Sequence, residues 1–314
     1  MSAQDTDASD LIDIGALRAL LRRHGVERPN KALGQHLLIS RKALDAVVRA
    51  AELSLDDNVL EVGAGAGVLT VELAKRARRV VAVEMDRVIL PVLREVVEPF
   101  PNVEIIPRDL LTVWPEEVFG EQPYKFVANL PYYITAMILR HILEARNRPT
   151  RVVVMVQREV AERMTAEPGE MSLLSLSAQF YGTPRIVAQV PATAFYPPPK
   201  VDSAVVRLDL YPRPPLDGAA RELFFTLARA AFAEKRKQVH NSLERNLRLD
   251  PEQVAGWLTA CGISSERRAQ SLSLEEWLAL TNAALADPPR PIPQETRRER
   301  RQRGARAPEQ RENS

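Results

Sequence analysis

The stretch Phe126-Val-Ala-Asn129-Leu130-Pro131-Tyr132-Tyr133 sets an amide side chain, a backbone carbonyl ahead of a proline, and an aromatic ring side by side. These are the groups that methylation of an exocyclic base amine calls for. The lone pair of such an amine is delocalised into the ring, which makes the amine a poor nucleophile. Accepting both of its hydrogens favours the tetrahedral geometry that frees the lone pair. The side-chain oxygen of Asn129 and the carbonyl of Leu130 can accept them, with Pro131 fixing the backbone. Tyr132 offers a face for a base taken out of its stack. The amine becomes acidic once it carries the new methyl group, so no strong general base is needed. The sequence has no Ser/His/Asp constellation and no metal-ligand set. Taken alone, the same residues also suit an ordinary strand-to-helix turn.

A second chemical feature lies upstream. Asn58-Val-Leu-Glu-Val-Gly-Ala-Gly-Ala-Gly-Val-Leu-Thr70 reads as a strand running into a glycine turn and then a helix. Gly63, Gly65 and Gly67 let the backbone approach a ligand and turn sharply. The NAD fingerprint is G-x-G-x-x-G, whereas here the third glycine falls one place early and Glu61 precedes the loop. Val80-Val-Ala-Val-Glu84 ends a further strand in a carboxylate able to accept from both ribose hydroxyls. NAD and S-adenosylmethionine both require that, so Glu84 indicates a nucleoside without choosing between them. Asp109, at the end of a third strand, can accept from an adenine amino group or cap a helix.

The elements that must position these residues alternate. Strands are expected at Asn58–Val62, Arg79–Glu84, Val103–Pro107, Lys125–Asn129, Arg151–Gln157 and Ser203–Leu210. Helices are expected at Leu69–Arg76, Arg87–Glu98, Ile134–Arg146 and Arg158–Thr165. This rhythm implies an α/β fold with a parallel sheet covered on both faces. Ser203–Leu210 reads as an antiparallel addition near one edge. The Pro-rich break at Tyr211–Gly218 is followed by helical stretches at Ala219–Lys237, Asn241–Leu247, Pro251–Cys261 and Leu274–Leu285. Asp250 and Ser273 suit N-caps, Pro251 a first helical position, and Gly262 a C-terminal stop. The resulting division is an N-terminal extension, helical in part, over 1–27; a cofactor-binding catalytic domain over 28–212; a helical RNA-binding domain over 213–287; and a disordered basic tail over 288–314.

With 45% apolar residues in 314, the chain suits a packed globular protein. The net charge of +2 conceals an uneven distribution. Residues 288–314 carry eight Arg against four Glu, leaving the rest close to neutral, so a nucleic-acid partner must be argued from local clusters. A single cysteine, Cys261, excludes a disulfide framework. The acidic, polar start lacks the features of a secretory signal, and the longest apolar run, Val152–Val156, is far too short for a bilayer. A cytoplasmic protein without a membrane partner is expected.

Four motifs in order, Lys31-Ala-Leu-Gly-Gln-His-Leu-Leu38, Glu61-Val-Gly-Ala-Gly-Ala-Gly67, Asn129-Leu-Pro-Tyr132 and Phe195-Tyr-Pro-Pro-Pro-Lys-Val-Asp-Ser203, carry a resemblance. Over about residues 28–285 the chain resembles the ribosomal RNA adenine N6,N6-dimethyltransferase family. The resemblance implies a Rossmann-like class I methyltransferase sheet with a small all-helical C-terminal domain, and S-adenosylmethionine as cofactor. It further implies that His36 and Leu38 contact the cofactor and that Gln35 helps close the site. Gly63 would lie under the methionine part, Glu84 on the ribose, Asp109 on the cofactor adenine, and Asn129 on cofactor and target amine, with Gly65 also at the cofactor. His36 stands where bacterial members more commonly have Asn, and Leu37 where they have Phe. Phe195 would stack on the target adenine opposite Tyr132.

Two basic clusters suit an RNA surface: Arg22, Arg23, Arg28 and Lys31 beside the cofactor segment, and Lys235, Arg236, Lys237, His240, Arg245 and Arg248 at the end of an apolar helix. Lys200 could meet a phosphate. A charge run can equally be a solvated face. The resemblance implies a monomer that dimethylates two adjacent adenosines near the 3′ end of 16S rRNA, in the small ribosomal subunit or its precursor. Two alternatives stay open: a 23S rRNA adenine N6-methyltransferase, and a non-catalytic RNA-binding assembly or transcription factor on the same fold.

Overall fold

Runs such as Val80–Val83 and Val152–Val156 are apolar on both faces, as strands covered by helices on each side must be, and every one of these residues is buried. The computed structural model describes residues 11–30, 34–234 and 236–290. The chain divides into two compact units, the first ending at Pro215 and the second beginning at Leu216.

In the first unit the elements are α1 (Ile14–Arg23), β1 (Leu37–Leu38), α2 (Arg41–Ala51), β2 (Asn58–Val62), α3 (Val68–Ala74), β3 (Arg79–Val83), α4 (Leu90–Val97), β4 (Val103–Ile106), α5 (Pro115–Phe119) and β5 (Lys125–Asn129). They continue with α6 (Thr135–Glu144), β6 (Arg151–Gln157), α7 (Arg158–Met164), α8 (Leu173–Tyr181), β7 (Gly182–Val190), β8 (Phe195–Tyr196) and β9 (Ser203–Leu210). A seven-stranded sheet has the order β4-β3-β2-β5-β6-β9-β7. Its first five strands are parallel. β9 pairs antiparallel with both β6 and β7, as expected of Ser203–Leu210. Strand order reverses between β2 and β5, which opens a crevice beyond their carboxyl ends.

β7 and α2 have no counterpart in the sequence reading. β7 carries Pro184 and is interrupted by an irregularity between Ile186 and Ala188; both are tolerated because it is an edge strand. Gly182 opens β7 where a Cβ would lie 2.3 Å from the carbonyl oxygen of Asp209, so only glycine fits. α2 is started by Ser40, whose side chain accepts from the Ala43 amide, and it buries Ala43, Leu44, Val47, Ala50 and Ala51. Residues 11–27, set apart in the sequence as an extension, contribute Leu11, Leu17, Leu20, Leu21 and Val26 to the main core.

Two segments far apart in the chain meet in a separate two-stranded pair. Leu37 lies opposite Tyr196 and Leu38 opposite Phe195, and the Ile39 amide donates to the Ala194 carbonyl at 2.8 Å.

The second unit holds α9 (Gly218–Phe232), α10 (Val239–Leu247), α11 (Pro251–Ala260) and α12 (Leu274–Ala286). Phe224, Leu227, Val239, Leu243, Val254, Trp257, Trp277 and Leu280 are buried here. Asp250 caps α11 through the Glu252 amide with Pro251 in the first turn, and Ser273 forms a capping box with Glu276. Gly262 follows α11 at φ +67°, its amide donating to Thr259. α9 stops at Phe232, five residues short of the expected Lys237. The Asn246 side chain of α10 donates to the Ala230 carbonyl at 2.9 Å, satisfying one of the acceptors that a helix end leaves free.

Candidate active site

The carboxyl ends of β2, β3, β4 and β5 surround a cleft. Gln35, His36, Leu38, Gly63, Gly65, Glu84, Asp109, Asn129, Leu130, Pro131 and Tyr132 all line it. Of the cofactor and amine residues singled out in the sequence, Gly67, at the start of α3, and Phe195 are absent from the lining; for Phe195 the reason is burial. Its ring is 2% exposed and belongs to the core beneath β1. This corrects the expectation of a second open aromatic face: pairing of Leu38 with Phe195 turns the ring inward. Across from Tyr132 the cleft presents His36 instead, with ring centroids 5.6 Å apart and planes at 25°.

The glycine turn forms the floor. Gly63, Gly65 and Gly67 take φ of +67°, +57° and +85°, a region L-residues with a Cβ seldom occupy. A Cβ on Gly65 would also come within 3.1 Å of the Leu37 side chain, so the turn lies directly against the β1 segment. Beside it, Glu61 is 1% exposed, and its Oε2 has no hydrogen-bond partner among the described residues. Burial pushes the Glu61 carboxyl up to about 8, with the nearby Glu84 charge acting in the same direction.

Glu84 is held by two backbone amides. Oε2 accepts from Gly65 at 2.9 Å and Oε1 from Asp86 at 2.8 Å. Burial raises its carboxyl above the ordinary range despite these bonds. Asp86 in turn accepts from the Gln35 side chain at 2.7 Å, and the Gln35 side-chain oxygen accepts from the Asn30 amide at 2.7 Å. One chain of hydrogen bonds therefore runs from the strand-end carboxylate to the N-terminal segment. Asp109 caps the turn after β4, one oxygen accepting from the Leu111 amide at 3.0 Å.

Asn129 ends β5, where its Nδ2 donates to the His36 carbonyl at 3.2 Å. No donor among the described residues reaches its Oδ1, nor the carbonyl oxygen of Leu130. The carbonyl of Pro131 is taken by the Thr135 hydroxyl at 3.0 Å. The Tyr132 hydroxyl hydrogen-bonds Ser203 at 2.6 Å, and burial pushes its phenol up. His36 Nδ1 donates to the Pro197 carbonyl at 2.7 Å, which fixes its ring from the Pro-rich loop. The lining residues that sequence reasoning left out include Met85, Arg108, Tyr133 and Ile138. Met85 and Arg108 directly neighbour Glu84 and Asp109, and that adjacency is the only signal that could have found them.

Some of the basic residues are paired within the fold. Arg22 and Lys200 are exposed. Arg23 bridges to Glu95, which also meets His24, so part of its charge is spent within the fold. Arg236 and Lys237 stand exposed in the turn after α9 rather than on the helix, and Arg245 faces Glu234 at 3.5 Å. Lys31 and Lys235 lie outside the described residues, as does the tail beyond Arg290.

The family model described as ribosomal RNA adenine dimethylase matches residues 26–285. A relative from Dehalococcoides mccartyi, named ribosomal RNA small subunit methyltransferase A, is 48% identical over 254 residues, covering 81% of this chain and 87% of its own. One of the same name from Bacillus mycoides is 42% identical over 265 residues, covering 81% and 91%. Among solved structures, a dimethyladenosine transferase from Plasmodium falciparum superposes with a TM-score of 0.67 at 27% identity, covering 80% of this chain and 98% of that one. The 23S rRNA methyltransferase ErmE gives 0.65 at 33% identity, covering 79% and 98%.

Proposed function

The chain belongs to the ribosomal RNA adenine dimethylase family, and from that premise we propose that it dimethylates the N6 amines of two adjacent adenosines near the 3′ end of 16S rRNA. It is an S-adenosylmethionine-dependent rRNA adenine dimethyltransferase with a Rossmann-like class I methyltransferase fold. It acts in the cytoplasm, as a monomer, on the small subunit or its precursor. No helix among the described residues is long and apolar enough to cross a membrane.

The cleft fits the cofactor. S-adenosylmethionine supplies an electrophilic methyl group on a sulfonium and carries an ammonium besides. The unpartnered Glu61 oxygen and the Glu84 carboxylate make a floor short of positive charge. Glu84, with lone pairs left after its two amide bonds, would hold the ribose. The glycine turn leaves room for backbone approach, and Asp109 keeps an oxygen for the cofactor adenine.

One observation carries the chemistry. Donation of Asn129 Nδ2 to His36 leaves Oδ1 as the acceptor beside the free Leu130 carbonyl. Together they would take both hydrogens of the target amine and draw its lone pair out of conjugation. Tyr132, tied down by Ser203, would hold the base face.

The likeness to ErmE keeps a 23S target as the second reading. Supplying labelled cofactor with undermethylated small-subunit particles and with 23S rRNA, then mapping the label, separates them. Label on paired adenosines of 16S rRNA is expected. Label on 23S rRNA would replace the substrate assigned here, and RNA binding without any label would leave only a binding factor.

A further inference from the structure

Tyr133 lines the cleft yet is 55% exposed. It sits in the 3₁₀ turn that leads into α6, and from there exposed apolar groups recur at helical spacing. Met137, four residues on, is 55% exposed. His141, four further, carries the ring of Trp114 against its own, centroids 4.2 Å apart and planes at 37°. Trp114 remains 41% exposed. The pair is anchored, since His141 Nε2 donates to the Val113 carbonyl at 2.9 Å. Residues i, i+4 and i+8 lie along one helix face, so this stripe runs about 12 Å outward from the cleft.

We propose that this stripe is a stacking track for the unpaired nucleotides that flank the target adenosine. The proposal rests on the reading that the cleft takes an adenosine of ribosomal RNA, and three observations carry it further. The track begins at a residue of the cleft itself, so a strand whose base enters there must lay its neighbours over α6 or over the opposite rim. Its surfaces are rings and a thioether, which stack on any base face without reading its edge. Positive charge lies beside it: Arg108 lines the cleft, its guanidinium donates to the Thr112 carbonyl, a neutral partner that leaves the charge in place, and the carboxylate paired with it, Glu117, lies 3.9 Å away with both side chains more than half exposed. Such a pair is weak in water and can yield to a phosphate. The site as described holds one base between Asn129 and Tyr132; the stripe would hold those next to it and so contribute to the choice of a single-stranded segment.

The test uses Trp114→Ala, Met137→Ala and the double variant, none of which touches the cofactor or amine residues. Cofactor affinity measured by calorimetry should stay at its wild-type value and the circular dichroism spectrum should be unchanged, while Trp114→Ala, which loses the stack on His141, melts modestly lower. The KM for undermethylated small-subunit particles should rise about tenfold or more in the double variant, the size that losing a base–aromatic stack carries. A photo-crosslinking phenylalanine derivative placed at position 137 should attach to nucleotides adjacent to the methylated adenosines. An unchanged KM in the double variant, or crosslinks confined to ribosomal protein, would overturn the track. Failure of the wild-type protein to label 16S rRNA would instead overturn the reading it rests on, before any variant is compared.

Discussion

The Asn129 side-chain amide donates to the backbone carbonyl of His36 at 3.2 Å, across 93 residues of sequence. The bond joins the end of a central strand to the N-terminal segment, and it decides which face of the amide meets the cleft. Without it the amide could turn its nitrogen outward, and a donor cannot accept an amine hydrogen.

Asn129→Ala should therefore lower kcat by about 10²–10³, the usual loss on removing one preorganised hydrogen-bonding group from a transition state. Stability should fall by only about 1 kcal/mol, since a single partly exposed bond is lost. Single-turnover methyl transfer beside a denaturant melt checks both. Turnover near that of the wild type would sink the amine-acceptor mechanism.

The chain Asn30–Gln35–Asp86–Glu84 predicts a different signature. Gln35→Ala or Asp86→Ala should free the N-terminal segment from the turn whose backbone amide holds Glu84, without touching the amine site. The cofactor dissociation constant should rise about tenfold, in keeping with loss of a hydrogen bond to a charged group, while kcat at saturating cofactor holds. A fall in kcat with unchanged affinity would show that these residues position something other than the cofactor.

Glu61 makes a pH prediction whose sign follows from its direction of shift. Its carboxyl sits at about 8 in the fold against an ordinary 4.5, so between those values the folded state binds more protons than the unfolded one. Stability then falls as pH rises through this window and levels off above it. Glu61→Gln cannot ionise and should flatten that slope. It will not abolish the slope, because Glu84 beside it is raised in the same sense. Urea unfolding at intervals from about pH 5 to pH 8 measures this; parallel curves for the two proteins would refute the assignment.

At the edge strand, Gly182→Ala should destabilise the first unit by at least about 2 kcal/mol, in the range of overpacking a site whose neighbour cannot move. The neighbour is the Asp209 carbonyl oxygen, 2.3 Å from where the Cβ would lie, and it is backbone. A melting temperature within error of the wild type would contradict this geometry.

Binding to RNA should weaken steeply with salt. Replacing Arg236 and Lys237, both exposed, by Gln should reduce the log–log salt slope by about 0.7–0.9 for each phosphate that the protein no longer neutralises. A slope unchanged in the double variant would remove that turn from the RNA surface.

Much of this architecture is legible in the chain, for local reasons. β2, β5, β6 and β9 match their expected ranges because each is a short, Val-containing, largely apolar run. The caps at Asp250 and Ser273 are equally readable, as their partners lie within three residues. β7 is not, because Gly182 and Pro184 break a strand signal that only its edge position excuses. α2 escapes the sequence reading although its cap and its apolar spacing are both present. Phe195 is misplaced there because its orientation depends on pairing with Leu38, far away in sequence.

By itself, the sequence determined the chemistry on offer: a glycine turn followed by strand-end carboxylates, and an amide, carbonyl and ring at the end of β5. Residue type and short-range spacing suffice for that, because each motif sits on one strand and its turn. Only the tertiary structure decided what those groups face. The β1–β8 pair carries His36 over the cleft and turns Phe195 into the core. Asn129 meets a carbonyl that orients it, and Glu61 is left buried beside the glycine turn with one oxygen unpartnered. Those outcomes come from contacts between segments distant in sequence, and no local pattern specifies which partner such a segment will find.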